Sequence, residues 1–154
     1  MTGILFVCLG NICRSPMAEF VMKDLVNKAG LEKSITIASA ATSNEEVGNP
    51  VYPPARQELL THGISCAGKT ARRLEKGDYQ RYDYLIGMDH HNLRDMVRIL
   101  GGDPEGKIRL LLSFVGEDRD IADPWYTRNF AETYADVWTG CSALLAYLIK
   151  ECQV

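Results

Sequence analysis

The 154 residues are enough for one ordinary domain, and the 46% hydrophobic content can form a packed core, so we predict one domain over residues 1–154. The net charge of −3 argues against nucleic acid or an anionic membrane as the main partner. No apolar run approaches the roughly 20 residues of a membrane span, and no secretory signal opens the chain, so we expect a cytoplasmic protein.

The first predicted elements are a buried strand, a short loop and a helix. The apolar residues 4–7 indicate the strand. Ser15 as N-cap and Pro16 as first helical residue predict a helix that continues to about residue 29. A loop between a strand and a helix N-terminus directs backbone N–H groups at one point, which makes it an anion site.

This loop carries two reactive side chains, Cys8 and Arg14, in the spacing Cys-x5-Arg. Gly10 and Asn11 tolerate the left-handed backbone of a tight cradle. A guanidinium can hold two phosphate oxygens at once, and a thiolate beside a helix N-terminus is a strong nucleophile. We therefore predict a phosphate-binding loop with a nucleophilic cysteine.

The rest of the chain alternates between strands and helices. Further strands are predicted over residues 34–39, 82–88 and within 107–115. Further helices are predicted over residues 54–62, 70–78, 90–100 and 129–151, the third of them capped by Asp89. This order predicts an α/β fold: a four-stranded parallel sheet with helices on both faces and the phosphate-binding loop after strand 1.

Three stretches together resemble the low-molecular-weight protein tyrosine phosphatases. Residues 8–16, Cys-Leu-Gly-Asn-Ile-Cys-Arg-Ser-Pro, are similar to the family's signature. Asp123-Pro124-Trp125-Tyr126 resembles its acid loop, and residues 84–89 resemble its third strand and the following turn. The resemblance implies a phosphatase that acts on phosphotyrosine proteins and binds phosphate or other oxyanions in the loop, without a cofactor.

The resemblance also implies residue roles. Cys8 would be the nucleophile that forms a phosphocysteine, Arg14 would bind the phosphate, and Asp123 would be the general acid and then the base. The implied substrate-binding residues are Leu9, Gly10, Asn11, Ile12, Cys13, Ser15, Trp125 and Tyr126. Asn11, Ser15 and Ser39 are further implied to support the loop, with the Ser15 hydroxyl donating to the departing sulfur.

The sequence departs from the family pattern at two positions beside the site. Glu45 stands where an aromatic residue often forms a wall of the cleft. Lys69 stands near a position where many members have a histidine that joins the hydrogen bonds of the loop. Because lysine cannot accept a hydrogen bond, we expect a different network there.

Five cysteines stand at positions 8, 13, 66, 141 and 152, and a cytosol would keep them reduced. No metal site is expected, since Cys8 and Cys13 have no second pair at zinc spacing. The family uses its second loop cysteine to trap the oxidised nucleophile, which implies a Cys8–Cys13 redox pair; the alternative is that Cys13 only packs under the loop. Cys141 lies on an apolar helix stripe and is predicted to be a core residue.

Three other functions remain open. A protein arginine phosphatase of this fold carries Thr where this chain has Ile12, and the larger apolar side chain favours an aryl phosphate. An arsenate reductase of this fold needs two more cysteines near the third strand, where only Cys66 lies. A phosphopeptide-binding module would not need the combination of Cys8, Arg14 and Asp123.

Overall fold

Four parallel strands form the centre of the protein, whose computed structural model describes residues 1–152. Across the sheet, the strands lie in the order β2 (Ile35–Ala41), β1 (Thr2–Cys8), β3 (Tyr84–Gly87) and β4 (Ile108–Leu110). The predicted parallel sheet is confirmed, and the last two residues of the predicted domain lie outside the described range. β1 is a central strand, so the loop that follows it opens at the middle of the sheet edge.

Helices cover both faces of the sheet, as predicted. Within residues 1–152 they are α1 (Arg14–Lys28), α2 (Pro53–Thr61), α3 (Asp78–Arg81), α4 (His90–Leu100), α5 (Pro124–Thr127) and α6 (Phe130–Cys152), with a 3₁₀ helix (Leu111–Val115) after β4. α1 and α6 pack together on one face, and α4 packs on the other. None of these helices is both long and apolar enough to cross a membrane.

The residues of β1 alternate between two hydrophobic clusters. Ile4 and Phe6 belong to the cluster under α1 and α6, whereas Leu5 and Val7 belong to the cluster under α4. A strand buried on both faces is typically a continuous apolar run, which is what the sequence has here. The predicted apolar stripe of the last helix is also buried, including Cys141.

The start of the first helix differs from the prediction by its capping residue. α1 begins at Arg14, and Cys13 occupies the cap position without a capping side chain. The predicted cap, Ser15, is wrong because its hydroxyl lies 2.9 Å from the Cys8 sulfur and accepts a hydrogen bond from Asn11 at 2.8 Å. The Ser15 hydroxyl, which was predicted to cap the helix, therefore forms hydrogen bonds within the phosphate-binding loop instead.

The predicted helix over residues 70–78 is wrong. This segment is not helical before Asp78 and pairs with the end of β2: Leu74 N–H donates to Ala41 O, and Ala41 N–H donates to Arg72 O, both at 2.8 Å. The Arg72 guanidinium binds the buried Asp78 carboxylate at 3.1 and 3.2 Å. The pattern of residues 70–78 alone did not distinguish a helix from a segment paired to a strand end.

Candidate active site

The Cys8 sulfur lies at the end of β1, surrounded by hydrogen-bond donors of the loop. It accepts from the backbone N–H groups of Asn11 at 3.3 Å and Ser15 at 3.4 Å, and the Ser15 hydroxyl lies 2.9 Å away. Because the Ser15 oxygen already accepts a hydrogen bond from the Asn11 amide, its own hydroxyl proton is available to the sulfur. The loop is therefore arranged to receive negative charge on the sulfur.

Asn11 holds the loop in a backbone conformation that few side chains tolerate. Its φ is 58°, in the left-handed region, and the residue is fully buried. The side-chain amide donates to the hydroxyls of Ser15 at 2.8 Å and Ser39 at 2.9 Å, and its oxygen accepts from Arg72 N–H at 3.2 Å. Asparagine suits this position because its short polar side chain compensates for the strain.

A buried ion pair continues this network below the loop. The Ser39 hydroxyl accepts a hydrogen bond from Asn11 and donates one to the Glu19 carboxylate at 2.5 Å. Lys69 donates to the Ser39 carbonyl at 3.0 Å and lies 3.3 Å from Glu19. Burial lowers the pKa of Lys69 against the opposing attraction of Glu19. Lys69 therefore enters the network as a donor only.

Arg14 lies under the cleft and is held by acceptors from distant parts of the chain. One guanidinium nitrogen donates to Asp89 at 2.7 Å and to the Ile121 carbonyl at 2.9 Å, and the other lies 3.4 Å from Asp123. Burial opposes the charge of Arg14, but the Cys8 sulfur and the two carboxylates outweigh it and raise the pKa of the guanidinium. Arg14 is thus a fixed positive charge beside the nucleophile.

Asp89 serves two elements at once. Its carboxylate accepts the Asn92 N–H at 2.7 Å, which completes the predicted N-cap of α4, and it also binds Arg14. The sequence indicated only the cap. The contact with Arg14 connects a helix N-terminus to the phosphate-binding loop.

Asp123 lies in a segment that we call the acid segment, residues 121–128. Its carboxylate accepts the Trp125 N–H at 3.0 Å and so caps the short helix α5. The neighbouring aromatic side chains are open to solvent, with Trp125 46% and Tyr126 76% exposed. The acid segment therefore presents one carboxylate and two accessible rings to the same space.

A cleft separates the phosphate-binding loop from the acid segment. The loop side of its lining consists of Cys8, Leu9, Gly10, Ile12, Cys13 and Arg14. The other lining residues are Ser43, Glu45, Glu46, Asp123, Trp125 and Tyr126. Among the predicted site residues, the side chains of Asn11, Ser15 and Ser39 are buried and do not line the cleft.

Comparisons with known proteins agree with this geometry. Residues 3–154 match the family model of the low molecular weight phosphotyrosine protein phosphatases. The chain belongs to this family. It is 43% identical to the low molecular weight protein-tyrosine-phosphatase YfkJ of Bacillus subtilis, with 100% of both chains covered.

Two solved structures extend the comparison within this phosphatase family. The crystal structure of Bacillus subtilis YfkJ has a TM-score of 0.95 at 41% identity, covering 98% of this chain and 96% of that one. The structure of a Drosophila arginine phosphatase has a TM-score of 0.88 at 30% identity, covering 98% and 99%. The same fold thus occurs in phosphatases that are named for different phosphorylated residues, tyrosine and arginine. The fold therefore does not identify the substrate, and the residues that line the cleft must indicate it.

Four cysteines of the phosphatase are buried free thiols: Cys8, Cys13, Cys66 and Cys141. Burial, and then the neighbouring Cys8, raise the pKa of Cys13 to about 12. Burial also raises the pKa values of Cys66 and Cys141. No group of three or more His, Cys, Asp or Glu side chains within residues 1–152 is placed to hold a metal ion.

Proposed function

We propose that this phosphatase hydrolyses phosphotyrosine and related aryl phosphate monoesters through a phosphocysteine on Cys8. The observation that carries the proposal is the convergence of the Cys8 sulfur, the Arg14 guanidinium and the Asp123 carboxylate on one cleft. A nucleophile, a bidentate phosphate ligand and a proton donor are the three groups that this reaction needs.

In the first step, Arg14 and the loop backbone bind the phosphoryl oxygens, and the Cys8 thiolate attacks the phosphorus. The S–P bond forms as the bond to the tyrosine oxygen breaks. Asp123 gives its proton to that oxygen, so that tyrosine leaves as a neutral phenol. Arg14 stabilises the charge spread over the equatorial oxygens of the transition state.

In the second step, water attacks the phosphorus and the S–P bond breaks. Asp123, now ionised, takes a proton from the water, and inorganic phosphate leaves. The electron pair returns to the sulfur, where the Ser15 hydroxyl at 2.9 Å donates to the restored thiolate. Cys8 and Asp123 therefore serve both steps: Cys8 is first the nucleophile and then the leaving group, and Asp123 is first the acid and then the base.

The cleft lining favours an aryl group over the alternatives. Ile12, Trp125 and Tyr126 provide apolar surface beside the phosphate-binding loop. Protein arginine phosphatases of this fold carry Thr at the position of Ile12. Because this chain has the larger apolar side chain there, arginine phosphatase activity is the second candidate, behind hydrolysis of aryl phosphates. Cys66 is buried in the hydrophobic core, a position that does not suit the thiol relay of an arsenate reductase.

The test is to measure phosphate release from three otherwise identical peptides that carry phosphotyrosine, phosphoserine or phosphoarginine. We expect turnover of the phosphotyrosine peptide to be fastest and to disappear in Cys8→Ser. Cys66→Ser, which changes a buried thiol outside the cleft, is the matched control and should keep its rate. Turnover that survives in Cys8→Ser, or a preference for phosphoarginine, would contradict the proposal.

We also propose that Cys8 and Cys13 form a reversible redox pair. Peroxide would oxidise the Cys8 thiolate to a sulfenic acid, and the Cys13 sulfur would displace water from it to form a disulfide. Cys8 and Cys13 both line the cleft, and both belong to the cluster of buried residues under α1. After a peroxide pulse and thiol reduction, wild type should recover activity and Cys13→Ser should recover much less; equal recovery makes Cys13 structural only.

Residues 1–154 are proposed to form one catalytic domain that works in the cytoplasm. Cys8 must remain a thiol to act, and the free thiols of the described residues suit a reducing compartment. The proposed partners are phosphotyrosine proteins and free oxyanions, with no nucleic acid or membrane. Fractionation of the source cells with a cytoplasmic marker checks the compartment.

A further inference from the structure

Arg128, at the end of the acid segment, has a strained backbone. Its φ is 58° and its ψ is 17°, in the left-handed region that favours glycine. Among the non-glycine residues of the described chain, Asn11 alone shares a positive φ. Asn11 is fixed by buried hydrogen bonds, whereas Arg128 lies at the surface. A strained surface residue needs contacts of its own to hold it.

The Arg128 side chain supplies those contacts. One guanidinium nitrogen donates to the Tyr52 hydroxyl at 3.1 Å and the other to the Trp125 carbonyl at 3.5 Å. The centre of the guanidinium lies 5.4 Å from the ring centroids of both Tyr52 and Phe130, within the range of a cation–π interaction. The side chain thus fastens the end of the acid segment to a residue of another loop.

Tyr52 is in turn fastened to the phosphate-binding loop. Its backbone N–H donates to the Ile12 carbonyl at 2.9 Å, and its ring lies 4.8 Å from the Trp125 ring. A continuous path of contacts therefore runs from the loop through Tyr52 to Trp125, inside α5, and to Arg128, at its end. The side chains of Arg128 and Tyr52 are not among the groups that bind the phosphoryl oxygens in the proposed reaction.

We propose that Arg128 and Tyr52 form a latch that positions the Asp123 carboxylate over the phosphate-binding loop, an inference that rests on the acid role proposed for Asp123. The direct link between Asp123 and the loop is the 3.4 Å contact with Arg14, and the guanidinium of Arg14 is also the group that binds phosphate. The latch keeps the segment in place while Arg14 binds the substrate. Arg128 and Tyr52 are positioning residues and touch no reacting atom.

The test uses two variants that remove the latch without removing the fold. Arg128→Asn deletes the guanidinium but keeps a residue type that tolerates the left-handed backbone. Tyr52→Phe deletes only the hydroxyl and keeps the ring beside Trp125. Arg98→Asn, the same substitution at an exposed arginine of α4, is the matched control.

Two readouts follow the position of the acid. The first is kcat/KM for phenyl phosphate, whose leaving group needs a proton, and for 2,4-dinitrophenyl phosphate, whose leaving group does not. Because kcat/KM includes only the steps up to departure of the phenol, the later role of Asp123 as base does not enter it. We expect about a tenfold loss on the first substrate and almost none on the second, because a misplaced acid affects only the protonated leaving group. The double variant should lose no more than the larger single loss, since both changes open one contact.

The second readout is amide hydrogen exchange at Tyr126 and Thr127, whose N–H groups donate to the Asp123 carbonyl. We expect exchange to become about tenfold faster in both latch variants and to stay unchanged in Arg98→Asn. Unchanged exchange together with an unchanged ratio of the two substrates overturns the latch. If Asp123→Asn affects both substrates equally, the acid role itself fails, and the latch is overturned with it. If Asp123→Asn discriminates and the latch variants do not, only the latch fails.

Discussion

The two sides of the cleft are held in different ways. The phosphate-binding loop is buried and has internal partners: Asn11 and Ser15 are fully buried, and Cys8 and Arg14 are each only 3% exposed. The acid segment is buried mainly near its start, where the Ile121 carbonyl accepts from Arg14; the rest combines a short helix cap, exposed rings and one guanidinium at the surface. Charge stabilisation requires donors fixed in advance, and buried partners fix those of the loop, whereas the position of the proton donor depends largely on contacts at the surface.

Asp123→Asn tests the acid side with the largest expected effect. We expect kcat/KM for phenyl phosphate, which includes only the steps up to departure of the phenol, to fall by about 10²–10⁴, the usual contribution of acid–base catalysis. The loss should shrink for 2,4-dinitrophenyl phosphate, because its phenolate leaves without a proton. Steady-state rates on both substrates measure the difference, and equal losses would remove Asp123 from this role.

Lys69→Met tests how strongly the loop side depends on its buried ion pair. The change leaves the Glu19 carboxylate without its buried partner, and we expect a loss of about 2–3 kcal/mol in the free energy of unfolding, measured with denaturant. Lys23→Met is the control: Lys23 also contacts Glu19, at 2.6 Å, but its side chain is 45% exposed against 12% for Lys69. The control should lose less than about 1 kcal/mol. Similar losses of unfolding free energy in Lys69→Met and Lys23→Met would mean that burial of the Lys69–Glu19 pair does not increase its contribution to stability.

His90, which precedes the acid segment in the chain, should make the stability of the protein depend on pH. Its two ring nitrogens lie 2.6 Å from Asp120 and 2.8 Å from Asp118, and the hydrogen bonds to Asp118 and then Asp120 raise the pKa of the imidazole. A raised pKa means that the contribution to stability is full below about pH 6.5, the unfolded value, and is lost as pH rises through the folded value. The difference in Tm between wild type and His90→Gln should therefore be larger at pH 5.5 than at pH 9.

The contribution of His90 should be modest, because its side chain is half exposed. His91→Gln, at the next position of the same helix, is the control and should show a smaller change with pH. A Tm difference that grows with pH would contradict the assignment of the charged imidazole.

Glu45 should have the smallest effect. It lines the cleft beside Glu46, so it should repel acidic residues that flank the phosphotyrosine. Glu45→Gln should raise kcat/KM for an acidic peptide by about twofold at low salt and less at high salt, since salt screens exposed charges. Glu105→Gln, on an exposed turn, is the control. An unchanged kcat/KM at low salt would place Glu45 away from the path of the peptide.

The sequence predicted those parts of the fold and site that depend on neighbours in the chain. The strand, loop and helix around Cys8 follow from a local pattern, and the resemblance to a known family added the distant Asp123. Ser15 shows the limit even at short range: a serine before Pro16 is a typical helix cap, but here its hydroxyl belongs to the loop. Local propensity was overridden by the hydrogen bonds of the site.

The contacts that hold the site together join residues far apart in the sequence. Arg14 and Asp89 are separated by 75 positions, and Arg128 and Tyr52 by 76. No periodicity or spacing indicates such pairs. One signal was available at Glu19, an acidic residue near the apolar Ala18 and Val21 of the first helix, where a charge needs a partner.

The separation between Arg14 and Asp123 has a consequence for synthesis on the ribosome. The two residues are 109 positions apart, so the nucleophile and its arginine leave the ribosome long before the proton donor. The partners of Asn11 emerge earlier, since Ser39 and Arg72 follow it by 28 and 61 positions. The residues that support the phosphate cradle are therefore synthesised before the acid, whereas α6, which packs against α1, is synthesised after it. The order of synthesis thus places the cradle first, the acid next and the helix that completes the core last.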